Sequence, residues 1–384
     1  MKEYLTILAV AAVSFCIICS GCQSENVVAD ELTADQPSVE EAKPVKAAVK
    51  SDAEVKVVSA VEPKAVVKTE VPTRPSRSRR RGLYGDWQIK VDDNGRQRES
   101  ILSFSRNEQG EQSGHWISFW GLSELKDIKY EEGQLSFVRT HRNREGQSVT
   151  SKFKGNIKDG KIAGTISSDR GEYKFQGNRS RQMPRAVGSW EMKLKRGEQE
   201  FTSTLVVTSD KEGKLTAKWQ SQRGEHEITD VKYERRKLFF KRKSKIQDRQ
   251  WESTFEGTIQ KDTLSGIFKS ERGEITAEGK RIGASLIGNW NLEVTSERGN
   301  RKQRLKVNRD MGGMYGAIPI KNINLEDNKV SFKTVLEFGE RTFEMSFEGK
   351  LEDSKLTGEL TTSRGKQKVT GTKVVRRPRR RSAI

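Results

Sequence analysis

The chain has 384 residues, with 72 Lys+Arg against 53 Asp+Glu, a formal net charge of +19, and equal shares of 33% hydrophobic and 33% charged residues. All three cysteines (Cys16, Cys19, Cys22) precede residue 23, which excludes a disulfide framework, a Cys-ligated zinc and a cysteine nucleophile in the folded part. The three histidines, His115, His141 and His226, argue against His-based metal or triad chemistry, so no metal and no cofactor is expected.

The chain opens on Met1-Lys2, and Tyr4 to Ile18 is apolar apart from Thr6 and Ser14. That run falls short of the ~20 residues of a membrane span and suits the hydrophobic region of a signal peptide over 1–21. It ends in Cys19-Ser20-Gly21-Cys22. Small residues before a cysteine resemble the lipobox of bacterial lipoproteins. The resemblance implies that Cys22 is lipidated and becomes the first mature residue. Gln23 rather than Asp at the next position implies outer-membrane retention. The alternative is an ordinary signal peptide and a secreted chain.

Residues 22–83 then read as a disordered tether. Residues 23–82 have no aromatic residue and hold five of the eight prolines, Pro37, Pro44, Pro63, Pro72 and Pro75. Such a segment cannot bury enough apolar area to offset its ordering entropy. As a flexible coil it spans ~40–50 Å. It ends in five arginines between Arg74 and Arg81, and a basic tail (376–384) carries five more between Arg376 and Arg381. Such clusters attract polyanions or simply solvate.

Residues 84–375 are one unit repeated three times: 84–181, 187–281 and 287–375. Gly85-Asp-Trp87, Gly188-Ser-Trp190 and Gly288-Asn-Trp290 recur, followed each time by four further landmarks in one order. These are Leu125–Tyr130, Ile228–Tyr233 and Ile320–Leu325; Phe153–Ile157, Phe255–Ile259 and Phe347–Leu351; Ile162–Gly164, Leu264–Gly266 and Leu356–Gly358; and Gly177–Arg179, Gly279–Arg281 and Gly371–Lys373. Within a unit the apolar period is two, as in Trp251, Ser253, Phe255, Gly257 and Ile259. Unit one reads as eight strands, near 85–91, 100–106, 114–120, 125–131, 134–141, 148–157, 161–167 and 172–178. The predicted fold is therefore all-β: three tandem eight-stranded antiparallel up-and-down barrels, with a sandwich as the alternative. Mid-strand glycines suit the sharp bends of a small barrel. The aligned Asp127, Asp230 and Asn322 read as turn or bulge residues.

A Gly-x-Trp on the first strand and a basic residue ending the last resemble the calycin superfamily (lipocalins, fatty-acid-binding proteins, avidins). The resemblance implies that the Trp crosses the barrel bottom under the basic side chain. The matching pairs are Trp87 with Arg179, Trp190 with Arg281, and Trp290 with Lys373, expected as barrel-closing structural residues. It also implies an open mouth at the other end.

In an eight-stranded meander, loops 1–2, 3–4, 5–6 and 7–8 share one end. Arginine gathers there, at Arg196, Arg298, Arg223, Arg170, Arg272 and Arg364, while acidic turns gather at the other end. These six are the candidate anion-binding residues; solvated hairpin tips are the bland alternative. No P-loop, Rossmann glycine pattern, nucleophile elbow or His-Glu-x-x-His occurs, so no catalytic residue is assigned. The expected function is a non-enzymatic, membrane-tethered lipoprotein of the cell envelope. It would bind or scaffold an anionic partner: polysaccharide, lipid headgroups or acidic protein, with no specific nucleic acid. The alternatives are a calycin-type carrier of small ligands and a hydrolase with an unrecognised site. The sequence leaves the oligomeric state open.

Overall fold

A computed structural model describes residues 82–374, apart from Asn94, Glu108, Arg170, Arg223, Arg298 and the turn residues 143–145 and 339–340. The signal segment, Cys22, nearly all of the tether and the basic tail lie outside the described residues. Unit one contains β1 (Gly85–Asp93), β2 (Arg96–Arg106), β3 (Gln112–Ser118), β4 (Gly121–Glu131), β5 (Gln134–Arg142), β6 (Ser148–Lys158), β7 (Lys161–Ser168) and β8 (Gly171–Arg179). Unit two contains β9 (Gly188–Arg196), β10 (Gln199–Ser209), β11 (Leu215–Gln220), β12 (Glu225–Glu234), β13 (Lys237–Ile246), β14 (Arg249–Gln260), β15 (Thr263–Ser270) and β16 (Gly273–Arg281). Unit three contains β17 (Gly288–Ser296), β18 (Gly299–Val307), β19 (Gly313–Tyr315), β20 (Ile318–Ile320), β21 (Ile323–Glu326), β22 (Lys329–Phe338), β23 (Arg341–Glu352), β24 (Lys355–Thr362) and β25 (Gly365–Lys373).

The described chain is all-β, and every ladder joins antiparallel neighbours in up-and-down order. The first sheet is a closed barrel, β1 pairing with both β2 and β8. The second also joins its first and last strands, but β11 and β12 share no ladder. The third has nine strands rather than eight. The cause lies at the aligned Asp/Asn position. In units one and two it is a bulge: Asp127 and Asp230 take φ of 52° and 55°, and the ladder slips between Lys126/Lys129 and Thr229/Lys232. Asp tolerates the left-handed region better than most residues. In unit three the same place, Lys321-Asn322, separates β20 from β21, so the fourth strand is split in two.

Alternation fills each interior. Phe137 stacks on Phe153 at 4.0 Å and Phe153 lies 4.0 Å from Phe175; Phe240, Phe255 and Phe268 form the counterpart in unit two, and Phe332 with Phe347 in unit three. The rings find room because glycine faces glycine across the neighbouring ladder: Gly155↔Gly164, Gly257↔Gly266 and Gly349↔Gly358. A Cβ on Gly164 would stand 2.1 Å from the Lys154 carbonyl oxygen. The recurrent glycines thus admit close backbone approach beneath a core ring.

Unit three packs on both other units. Outward-facing Ile101 and Ile117 of unit one are buried with Ala317, beside Leu122 and Met314. Around them, Asp86 accepts a hydrogen bond from Ser103 Oγ at 2.7 Å and from Lys306 Nζ at 2.9 Å, and Arg304 Nη2 lies 3.4 Å away. Arg304 Nη1 also donates to Ser103 Oγ at 2.7 Å, and Gln303 Nε2 donates to the Ser118 carbonyl at 3.0 Å. The loop after β18 reaches unit two, where Arg309 Nη1 donates to the Met183 carbonyl at 3.3 Å and Met311 covers Gly283.

Candidate functional site

Two ends of each barrel differ chemically. At the end where the chain enters, the indole Nε1 of Trp87, Trp190 and Trp290 donates to the carbonyl four residues earlier: Leu83, Ala186 and Leu286, at 2.9, 2.9 and 2.8 Å. All three rings are fully buried. Arg179, Arg281 and Lys373 sit opposite them in the ladder, with the cation 4.7, 3.9 and 5.6 Å from the ring centroid. The same cations bind the entering chain. Arg179 donates to the Tyr84 and Gly82 carbonyls, Arg281 to those of Val187 and Arg185, and Lys373 to that of Ser285. Arg281 is also paired with Asp262 at 3.0 Å. Burial pulls the Arg281 and Lys373 cations below their ordinary values. This end is latched shut by backbone carbonyls and leaves little cation free for a ligand.

The opposite end carries the hairpin tips. Arg196, Arg272 and Arg364 are exposed there; Arg170, Arg223 and Arg298 lie outside the described residues. Arg272 lies 5.0 Å over Trp251, and Arg364 lies 5.9 Å over Trp120, which is 54% exposed. The second contact sets a mouth loop of unit three beside a mouth loop of unit one. None of these three arginines forms an ion pair among the described residues. The charge sorting between ends is incomplete, since Arg235 and Arg236 form a turn at the entry end of unit two. Several acids at that end serve the backbone: Glu132, Asp159, Asp327 and Asp353 take φ of 49°, 50°, 46° and 51°.

Inside the mouths of units one and two lies a feature that was not singled out from sequence. Arg139 on β5 stands 4.6 Å over Trp116, and Arg242 on β13 stands 4.8 Å over Trp219 and 4.1 Å over Phe268. Arg242 is buried, and the Nε of each arginine has no hydrogen-bond partner among the described residues. Burial pulls each guanidinium down to about 10, so both remain charged at neutral pH. The signal was legible: Leu135, Phe137 and Arg139 alternate, as do Leu238, Phe240 and Arg242, which puts both arginines on the core face. A cavity of about 20 Å³ beside Arg139 is lined by Trp116, Phe137, Ser151, Phe153 and Ile166.

Two other features are a His–Ser pair and a cleft in unit two. His226 Nδ1 lies 2.9 Å from Ser244 Oγ, but Ser244 has no exposed surface, so no substrate carbonyl can approach the hydroxyl. A cleft of about 280 Å³ lies where β11 and β12 part, bounded by Pro184, Leu215, Val231 and Tyr233. It opens at the entry end of unit two and is lined as well by Lys214, Lys232 and Glu234. Among the described residues, no group of three His, Cys, Asp or Glu side chains could hold a metal ion.

The sequence matches no protein-family model, and it matches no curated protein. Among solved structures, a protein of Bacteroides fragilis assigned provisionally to the outer membrane is 11% identical, with a TM-score of 0.21 over 52% of this chain and 97% of that one. The vaccine antigen transferrin binding protein B of Haemophilus parasuis is 10% identical, with a TM-score of 0.19 over 76% of each chain. A DUF3598-family protein of Nostoc punctiforme, of unknown function, is 11% identical, with a TM-score of 0.18 over 76% of this chain and 96% of that one. Scores this low assign the chain to no family.

Proposed function

We propose that this chain is a non-enzymatic lipoprotein of the cell envelope, anchored to the outer membrane through Cys22, whose barrel mouths bind or scaffold an anionic partner. The observation that carries the reading is the chemistry of the mouths. Exposed Arg272 and Arg364 stand over tryptophan rings without a carboxylate partner among the described residues, and Arg196 joins them at the same kind of hairpin tip. A cation resting on an aromatic ring keeps its N–H edge available for an oxyanion. At the entry ends Arg179, Arg281 and Lys373 are held by backbone carbonyls. Arg170, Arg223 and Arg298 would complete the set. The filled interiors speak against a carrier of lipocalin-sized ligands, because the stacked phenylalanines occupy the space such a ligand would need.

Two experiments test the two halves. Metabolic labelling with a clickable fatty acid marks the wild-type chain and leaves Cys22→Ser unlabelled; equal labelling of both removes the anchor. Binding of the full chain to dextran sulfate at low ionic strength weakens as salt rises. Replacing Arg170, Arg272 and Arg364 together by serine weakens it roughly tenfold, at about 0.5 kcal/mol for each exposed charge. If the triple variant binds as tightly as wild type while removal of both arginine-rich tails abolishes binding, the barrels are spacers.

A further inference from the structure

We propose that the interiors of units one and two each hold one monatomic anion of the chloride class, bound by the guanidinium of Arg139 and of Arg242. The two arginines occupy equivalent places on β5 and β13. Each lies directly across the ladder from a serine, Ser151 on β6 and Ser253 on β14; the Ser253 hydroxyl donates to the Arg242 carbonyl at 3.4 Å. Each cation rests on a tryptophan from the third strand of its barrel, Trp116 or Trp219.

A buried charge requires a partner. Arg242 is only 7% exposed and Arg139 is partly exposed, and an arginine does not shed its proton to escape the cost. No carboxylate lies within ion-pair distance of Arg139 or Arg242 among the described residues. The aromatic faces satisfy part of the charge, but Nε of both arginines has no acceptor among the described residues. The cavity beside Arg139, about 20 Å³, limits the guest. It is of the order of the roughly 10–15 Å³ that one water needs, a size suited to a single small guest. Water fits but brings no charge. A halide supplies both the charge and the acceptor.

Unit three provides the internal comparison. Its corresponding positions are Thr334 and Met345, and its interior ring there is Tyr315. Its mouth-side arginine, Arg301, comes from β18 and donates to Gln367 Oε1 at 3.1 Å. The halide site is thus a property of the two barrels that carry an arginine without such an acceptor. It stands apart from the polyanion reading, since the hairpin arginines can fail to bind a polysaccharide while the interiors still take a halide.

The test is chlorine-35 NMR of the full chain in sodium chloride. The wild type broadens the chloride line well beyond its surface contribution, and sodium bromide competes the excess away. Arg139→Met or Arg242→Met removes about half of the excess, and the double variant removes at least four-fifths of it, whereas Arg272→Ser leaves it in place. Near-UV circular dichroism reports whether the variants keep the packing around Trp116 and Trp219. Equal excess in wild type and a folded double variant overturns the proposal. Should the double variant not fold, the unaltered chain decides: amides of β5 and β13 exchange more slowly in sodium chloride than in sodium gluconate of equal ionic strength, and identical exchange in the two salts overturns the proposal.

Discussion

Trp190→Ala destabilises unit two by about 3–5 kcal/mol, the range for removing a fully buried large ring. Three losses combine. The indole has no exposed surface, so its deletion leaves a cavity at the barrel bottom. The Ala186 carbonyl loses its donor at 2.9 Å. Arg281, whose side chain has no exposed surface, loses the ring 3.9 Å beneath it while remaining held by Val187, Arg185 and Asp262. Three packed units need not unfold as one, so a single global midpoint is the wrong observable. Hydrogen exchange of amides in β9 and β16 under rising urea reads unit two directly. Trp120→Ala, at an exposed ring, changes the same amides by less than about 0.5 kcal/mol. A cost below about 1 kcal/mol for Trp190→Ala would show that the indole does not hold the barrel shut.

Asp86→Asn loosens unit three from unit one by about 3–5 kcal/mol, because it leaves Arg304 and Lys306 without their anion in a largely buried contact. Burial alone would raise the Asp86 carboxyl. The attraction of Arg304 and Lys306, with hydrogen bonds from Lys306 and Ser103, outweighs burial and holds it well below the usual carboxylate range. A carboxyl lowered on folding contributes stability that is fully present above its unfolded value, near 4, and is lost as pH falls towards the folded value. The wild-type contact therefore weakens below about pH 4. In Asp86→Asn this part of the acid dependence is missing. Exchange of β18 amides as a function of pH reads the difference; parallel curves for the two proteins would mean that the ion cluster does not support the interface.

The amide variant also explains a difference between the repeats. The landmark reads Gly-Asp-Trp in unit one, Gly-Ser-Trp in unit two and Gly-Asn-Trp in unit three. The flanking Gly and Trp serve closure in every unit, whereas Asp86 serves the contact of unit one with β18.

Period-two alternation and Gly-rich turns by themselves determined the all-β class and the eight strands of unit one, while the Trp–basic pairs were implied by the calycin resemblance of the repeated landmarks. These are local or repeated properties: a strand shows its inner face every second residue, and a landmark seen three times in one order needs no tertiary information. The hairpin arginines were legible for the same reason. Strand ends moved where turn geometry intervened, as at Phe119-Trp120, which form the turn before Gly121 rather than the end of β3. The arginines inside the mouths were half legible, since alternation puts Arg139 with Leu135 and Phe137, but a charged residue late in a strand reads equally as a solvated end.

Tertiary structure decided the rest. The parting of β11 from β12 and the split of the fourth strand at Asn322 depend on how a bulge is accommodated against neighbouring strands, which a strand's own pattern does not encode. The docking of unit three on unit one joins Ser103 to Arg304 across 201 positions. Its apolar part, Ile101 and Ile117, corresponds to Thr204 and Gln220 in unit two, and a lone outward isoleucine is ordinary on any protein surface. Only the fold brings two such isoleucines, Ala317 and a buried ion cluster to one place, because burial is a property of what comes to lie opposite a residue and not of the residue itself.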